Sequence, residues 1–180
     1  ILGGLLAFWA ALVFIITIIP IAIIVWVLNL TNKTERERIA IFIKASKIWI
    51  STYFFLIGCS LKRVGLNNFK KVENYIIISN HNFFMDILVI SPVVPGANKT
   101  IAKSELAKIP LFGYVYSKGS VLVNRKDKNS RINSFKEMKN VLELGMHMCI
   151  YPEGTRNKTN QPLKEFHNGA FKLAVETRKH

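Results

Sequence analysis

A histidine and an aspartate stand five positions apart in the segment NHNFFMD, residues 80–86. On a regular helix, residues advance by about 100° each, so His81 and Asp86 would point about 140° apart and could not touch. They can meet if His81 lies in a turn and Asp86 in the first turn of the following helix. The aspartate would then hold one ring nitrogen and stabilise the imidazolium, leaving the other nitrogen as a general base. No serine or cysteine is obviously placed as a nucleophile, so this base would act directly on a substrate hydroxyl.

A second polar segment, YPEGTR at residues 151–156, follows an apolar run that predicts a strand. Pro152 would end the strand, Gly154 would let backbone amides approach a ligand, and the planar fork of Arg156 suits phosphate. Loops at the carboxyl ends of strands are where open α/β sheets bind ligands. The alternative is a surface turn with an ordinary pairing of Glu153 and Arg156.

A third segment, GSVLVNR at residues 119–125, places an arginine at the end of a short β-branched run. Arg125 therefore offers a further ligand for phosphate. Alone, this segment is hardly distinguishable from a strand followed by the basic loop at residues 126–128.

The elements that would position these residues alternate between short apolar runs and helical patterns from about Lys62 onward. The predicted strands are residues 75–79, 99–102, 121–124 and 148–151. The predicted helices are residues 83–91, ended by Pro92, and residues 111–117, 130–144 and 169–177. This alternation predicts an α/β fold with a mainly parallel sheet flanked by helices.

The first 30 residues carry no charged side chain and contain Pro20. Such a run exceeds the roughly 20 residues that cross a bilayer as a helix, and it is too long for the apolar core of a signal peptide. A polar connector, residues 31–38, leads to a second apolar run at residues 39–61, in which Lys44 and Lys47 share one helical face. We expect a membrane-associated helical pair, although the second helix could instead pack on the soluble domain.

The formal net charge of +14 favours anionic partners, either nucleic acid or anionic lipid. The apolar leader favours lipid, and the lysines and arginines that follow it place the next domain on the cytoplasmic side. The basic residues show no aromatic platform and no helix-turn-helix pattern, which argues against nucleic acid. Cys59 and Cys149 lie in apolar surroundings and are expected to be buried, reduced thiols.

Taken together and in this order, the three segments resemble the glycerolipid acyltransferase family. Its first block, a histidine, four residues and an aspartate after an asparagine, is matched by residues 80–86. Its second block, a glycine-led strand that ends in arginine, is matched by residues 119–125, and its third block by residues 152–156. The resemblance extends from about Leu61 to the end, and further matching positions are Lys103, Glu105, Leu106, Pro110, Gly113, Phe166, Gly169 and Ala170.

This resemblance implies that His81 is the general base and that Asp86 orients it. Arg125 and Arg156 would hold the phosphate of the acceptor, while Glu153, Gly154 and Thr155 would shape that pocket. The reaction implied is acyl transfer from a thioester, acyl-CoA or acyl carrier protein, to the sn-2 hydroxyl of 1-acylglycerol-3-phosphate, which gives phosphatidic acid for phospholipid biosynthesis. No bound cofactor or metal is implied, because His147, His167 and His180 are scattered and lack a second ligand at zinc-like spacing.

The resemblance also implies an organisation in which residues 1–61 form membrane-anchoring helices and residues 62–180 an acyltransferase domain. The place implied is the bacterial inner membrane, with the catalytic domain facing the cytoplasm. The chain opens on Ile1 and stops at His180 within a predicted helical region, so we expect a segment of a longer protein. The family's fourth, proline-centred block is not reached, and we therefore expect acyl-chain binding to be incomplete in this segment. Tyr151 replaces the phenylalanine common before the proline, a change expected to be harmless. The alternatives are another lyso-lipid acceptor, such as a lysophospholipid or lyso-ornithine lipid, and a non-catalytic module that binds a membrane surface or nucleic acid.

Overall fold

The computed structural model describes residues 2–70 and 73–179. Two long helices come first, α1 (Leu2–Asn29) and α2 (Glu35–Leu56). Then β1 (Ile76–Ile78), α3 (Asp86–Val93), β2 (Asn98–Lys103), α4 (Phe112–Lys118), β3 (Ser120–Val123), α5 (Lys128–Glu143), β4 (His147–Ile150) and α6 (Gly169–Thr177) follow in chain order. Short 3-10 helices lie at Leu66–Asn68 and Ser104–Lys108.

The four strands form one parallel sheet in the order β1-β4-β2-β3, with helices packed around it. The prediction of a parallel α/β fold with a preceding helical pair is therefore confirmed. Each predicted strand lies within two residues of its observed bounds, and the prediction for α6 matches residue for residue. Because all strands run in the same direction, the polar segments that follow β1, β2, β3 and β4 share one edge of the sheet.

Both N-terminal helices are long and apolar enough to cross a membrane, judged by length and composition. They pack on each other through an aromatic cluster in which the ring of Phe14 contacts Trp49, Tyr53 and Phe112. The indole N–H of Trp49 also donates to the hydroxyl of Thr17 at 3.0 Å. The buried face of this pair continues into the core beneath the sheet, where Ile50, Val121 and Met148 are fully excluded from solvent.

The polar connector ends earlier than the sequence predicts, because α2 begins at Glu35 rather than Ile39. Thr34 and Glu37 form a capping box: the Thr34 hydroxyl accepts the Glu37 N–H, and the Glu37 carboxylate accepts the Thr34 N–H at 2.8 Å. This exchange satisfies two free amides of the first turn, so charged residues 35–38 join the helix.

The second helix also ends at Leu56 rather than Leu61, where Gly58 adopts a φ of 75°. The N–H groups of Gly58 and Cys59 bond back to the carbonyls of Phe55 and Phe54, a Schellman arrangement that closes the helix. The chain then leaves toward solvent, so Cys59 is exposed and the prediction of a buried thiol is wrong at this position. Cys149 is buried as predicted, and both cysteines are free.

The prediction for α3 is wrong at both ends, since the helix begins at Asp86 rather than Phe83 and includes Pro92. The residues before Asp86 form the turn that the aspartate side chain stabilises. Pro92 is the second-last residue of the helix, so its missing N–H and its ring disturb only the last turn.

Candidate active site

His81 and Asp86 meet as the turn-and-helix arrangement predicts. Nδ1 of His81 lies 3.1 Å from Oδ2 of Asp86, and the same oxygen accepts the backbone N–H groups of Asn82 and Phe83 at 2.8 and 2.9 Å. One carboxylate therefore closes the turn and orients the imidazole. With its proton on Nδ1, His81 presents a basic Nε2.

The loop after β4 holds the backbone of His81 on both sides. Oε1 of Glu153, a residue wholly excluded from solvent, accepts the His81 N–H at 2.9 Å. The Asn157 N–H donates to the His81 carbonyl at 2.6 Å. The first contact spans 72 residues of chain, and both form because β1 and β4 are paired neighbours. Glu153 thus contacts the loop of the predicted base, a partner that sequence reasoning did not identify.

Tyr151 was also missed by sequence reasoning, which treated it only as a harmless replacement. Its ring lies nearly parallel to the imidazole of His81, with 4.3 Å between ring centroids and 23° between planes. Its hydroxyl donates to the backbone carbonyl of Asp86 at 2.7 Å. Burial of the side chain raises the pKa of this phenol, which keeps it protonated as a donor.

Gly154 is the turn residue of this loop, with a φ of 70°. This left-handed conformation favours glycine, and a Cβ at this position would also lie 2.8 Å from Cδ2 of the exposed His167 side chain, which would have to move. The next residue, Thr155, accepts a hydrogen bond from Nζ of Lys164 at 2.8 Å.

A cavity of about 780 Å³ opens beside His81. Its polar part includes five of the predicted site residues, namely His81, Arg125, Gly154, Thr155 and Arg156. Its apolar part is formed by side chains from α2, α3 and α4, among them Phe42, Trp49, Leu88, Phe112 and Val115. The cavity therefore combines a general base, guanidinium groups and an extended apolar surface.

The two predicted arginines approach this cavity from different strands. Arg125 follows β3 and keeps contact with solvent, yet crowding by neighbouring atoms lowers the pKa of its guanidinium through desolvation, while Tyr116 and Glu105 oppose that shift. Arginine nevertheless stays protonated under all ordinary conditions. Arg156 lies on the loop after β4, with its guanidinium carbon 6.0 Å from the centre of the Phe84 ring.

The other histidines lie apart from this site. Nδ1 of buried His147 accepts the Tyr75 N–H at 3.0 Å, which is a structural role, and His167 is exposed beside Gly154. His180 lies outside the described residues. Within residues 2–70 and 73–179, no three His, Cys, Asp or Glu side chains are grouped so that they could hold a metal ion.

The model of the family described as Acyltransferase matches residues 60–180. The chain belongs to the acyltransferase family. Among its relatives, the 1-acyl-sn-glycerol-3-phosphate acyltransferase of Helicobacter pylori is 30% identical over 157 residues, which cover 87% of this chain and 62% of the relative. The alpha form from Homo sapiens is 32% identical over 124 residues, covering 68% and 44%. The chain thus spans less than two thirds of the length of these acyltransferases.

The crystal structure of the 1-acyl-sn-glycerophosphate (LPA) acyltransferase PlsC from Thermotoga maritima has the same fold. It superposes with a TM-score of 0.77 at 23% sequence identity, over 96% of this chain and 69% of that chain. The likeness includes the N-terminal helical pair as well as the sheet, because 96% of this chain is covered.

Proposed function

We propose that this chain transfers an acyl group from a thioester to the sn-2 hydroxyl of 1-acylglycerol-3-phosphate, which yields phosphatidic acid. The observation that carries the proposal is the 3.1 Å contact between His81 and Asp86 at a cavity that also contains Arg125 and Arg156. The names of the relatives, 1-acyl-sn-glycerol-3-phosphate acyltransferases from bacteria and animals, support the same acceptor.

In the proposed reaction, Nε2 of His81 removes the proton of the acceptor hydroxyl while its oxygen attacks the thioester carbonyl. The C–O bond forms, the C–S bond breaks, and the leaving thiolate takes the proton back from the imidazolium. Asp86 favours this cycle because its carboxylate stabilises the charged ring and holds the tautomer. The chain needs no nucleophile of its own in this direct transfer.

Arg125 and Arg156 are proposed to bind the phosphate of the acceptor. Guanidinium groups pair with phosphate through two parallel hydrogen bonds, and both side chains line the cavity that contains His81. Thr155, with the Lys164 ammonium bonded to its hydroxyl, adds a positively charged wall to the same pocket. A phosphate-bearing lyso-lipid fits this charge better than an acceptor without phosphate.

The donor is proposed to be acyl-CoA or acyl carrier protein, with the thioester as a co-substrate rather than a bound cofactor. We further propose that residues 1–61 anchor residues 62–180 to the cytoplasmic face of the bacterial inner membrane. The broad outer face of α1 supports this arrangement, since Phe8, Ile15, Ile23 and Trp26 are each more than half exposed.

Labelled acyl transfer to lysophosphatidic acid, measured with the full-length protein and its His81→Ala variant, tests this proposal. Acyl-CoA and acyl carrier protein are supplied separately, and monoacylglycerol and a lyso-ornithine lipid serve as acceptors without phosphate. We expect transfer to lysophosphatidic acid that falls about a hundredfold or more in the variant. Equal activity of both proteins would contradict the role of His81, and transfer confined to acceptors without phosphate would contradict the acceptor.

A further inference from the structure

The stacking of Tyr151 on His81 places an aromatic face against the proposed base. With 4.3 Å between the ring centroids and 23° between the planes, the two rings overlap rather than meet edge to edge. Tyr151 is 7% exposed, and its hydroxyl bond to the Asp86 carbonyl at 2.7 Å fixes where the ring lies. The hydrogen bond to the Asp86 carbonyl, at the start of α3, thus fixes the position of the aromatic ring.

The charge on the imidazole changes during the proposed reaction, from neutral to positive as it takes up a proton. An aromatic face attracts a cation through the negative face of its quadrupole, and it does so more strongly where water is excluded. A ring in this position therefore favours the imidazolium over the neutral imidazole. Asp86 acts on the edge of His81, at Nδ1, and Tyr151 acts on its face, so the two effects are separable.

Other titratable and charged groups line the same cavity as His81. Beyond Asp86 on α3 and Glu153 at the His81 backbone, the titratable and charged side chains that line the cavity are Lys103, Glu105, Tyr116, Arg125, Lys126, Arg156, Lys158 and Lys164. Six of these eight side chains are cations, so the aromatic face of Tyr151 lies beside a mainly positive cavity.

We propose that Tyr151 is a positioning residue for His81, whose aromatic face stabilises the imidazolium formed when His81 accepts a proton. The catalytic role in this inference rests on the proposed function, whereas the effect of the ring on His81 can be measured without substrate. It assigns the residue before Pro152 a role through the ring, which a phenylalanine at this position would share.

The test is an NMR titration of the His81 imidazole in 13C-histidine-labelled full-length protein, with the signal assigned from the His81→Ala variant. Tyr151→Leu removes the ring, and we expect the titration midpoint of His81 in this variant to fall by about half a pH unit. Tyr151→Phe keeps the ring, so its midpoint stays near that of the parent. If Tyr151→Leu does not fold, Tyr151→Met is a second ringless variant.

Tyr75 provides a matched control, because its ring stacks on the imidazole of His147 with 5.7 Å between ring centroids and 12° between planes. Tyr75 and His147 do not line the cavity. Tyr75→Leu should change the His147 signal and leave the His81 midpoint in place. Turnover is measured in parallel, and kcat of Tyr151→Leu should fall about threefold to tenfold.

The outcomes separate the two proposals. An unchanged or raised midpoint in folded Tyr151→Leu, or the same fall in Tyr151→Phe, would overturn the role of the ring even if acyl transfer is found. A lowered midpoint confined to the ringless variants supports that role of the ring, and absence of acyl transfer in the parent would then count against the proposed function alone.

Discussion

Oδ2 of Asp86 accepts two backbone N–H groups of the turn that it closes while it lies 3.1 Å from Nδ1 of His81. The local turn and the orientation of the imidazole therefore depend on the same atom. Substitution of Asp86 by asparagine keeps an oxygen that can accept the backbone N–H groups of the turn and removes only the negative charge.

Asp86→Asn is expected to lower kcat about a hundredfold or more, with little change in KM for the acceptor. The amide oxygen can still accept the two N–H groups, but it carries no charge to stabilise the imidazolium. Steady-state kinetics give both constants. Asp127→Asn is the matched control, because Asp127 accepts two backbone N–H groups at the start of α5 and does not itself line the cavity. An equal loss in both variants would contradict the specific role of Asp86.

Glu153→Ala is expected to lower kcat about tenfold or more, because the His81 N–H would lose its buried acceptor. Glu153→Gln keeps an oxygen at that position and should retain much more activity. Comparison of kcat for the two variants, with circular dichroism to verify folding, distinguishes the hydrogen bond from the charge. Equally low activity in both would show that the carboxylate charge is what matters.

Arg125→Ala is expected to raise KM for lysophosphatidic acid about tenfold or more and to leave any transfer to monoacylglycerol unchanged. The ratio of kcat/KM for the two acceptors measures the contribution of phosphate binding. Arg131→Ala, on the exposed surface of α5, removes a comparable charge outside the cavity and serves as the control. A uniform loss on both acceptors would point to a structural defect instead.

Of the two cysteines, only Cys59 should react with a maleimide in the native protein at pH 8. Cys149 is fully buried, and burial raises the pKa of its thiol to about 12, so almost no thiolate is present. Mass spectrometry of labelled peptides should show Cys59 modified natively and both modified in denaturant. Rapid native labelling of Cys149 in a Cys59→Ser variant would contradict the buried position of β4.

The stability of the folded domain should decrease as the pH falls below about 6.5, the ordinary pKa of histidine. Burial lowers the pKa of His147 in the folded chain, so the unfolded chain binds a proton first and unfolding becomes more favourable. The loss begins near the unfolded pKa and levels off below the folded one. Urea unfolding at pH 7.5 and 5.5 measures it.

His147→Asn provides the comparison, because its amide oxygen occupies the position of Nδ1 and can still accept the Tyr75 N–H. This variant should show a smaller change in urea midpoint between the two pH values. A pH dependence as steep as that of the parent would assign the effect to other groups.

The sequence alone predicts the features that depend on residues close together in the chain. β1, β3 and β4 are short, mainly apolar runs, as burial in a parallel sheet favours, and each is followed by a polar segment. The contact between His81 and Asp86 was predictable because five residues of chain and one helix start limit where the two side chains can lie. The errors at both ends of α2 concern signals that were also local, the capping pair Thr34 and Glu37 and the turn residue Gly58.

The remaining features depend on contacts between distant parts of the chain. Glu153 lies 72 residues from His81, and Tyr151 lies 65 residues from Asp86. No periodicity or spacing reports such pairs, because they arise only from the placement of β4 beside β1. The strand order is equally non-local, since consecutive strands β1 and β2 are separated by the last strand of the sheet.

That strand order has a consequence for how the molecule is made. β1 is an edge strand whose sheet neighbour is β4, and the loop after β4 supplies the groups that hold the His81 backbone. During synthesis, β1 leaves the ribosome some 70 residues before its partner strand β4. The turn that contains His81 therefore lacks its contacts with the loop after β4 until Asn157 has been made. A nascent chain halted between β3 and β4 should therefore have a folded helical pair and no competent base.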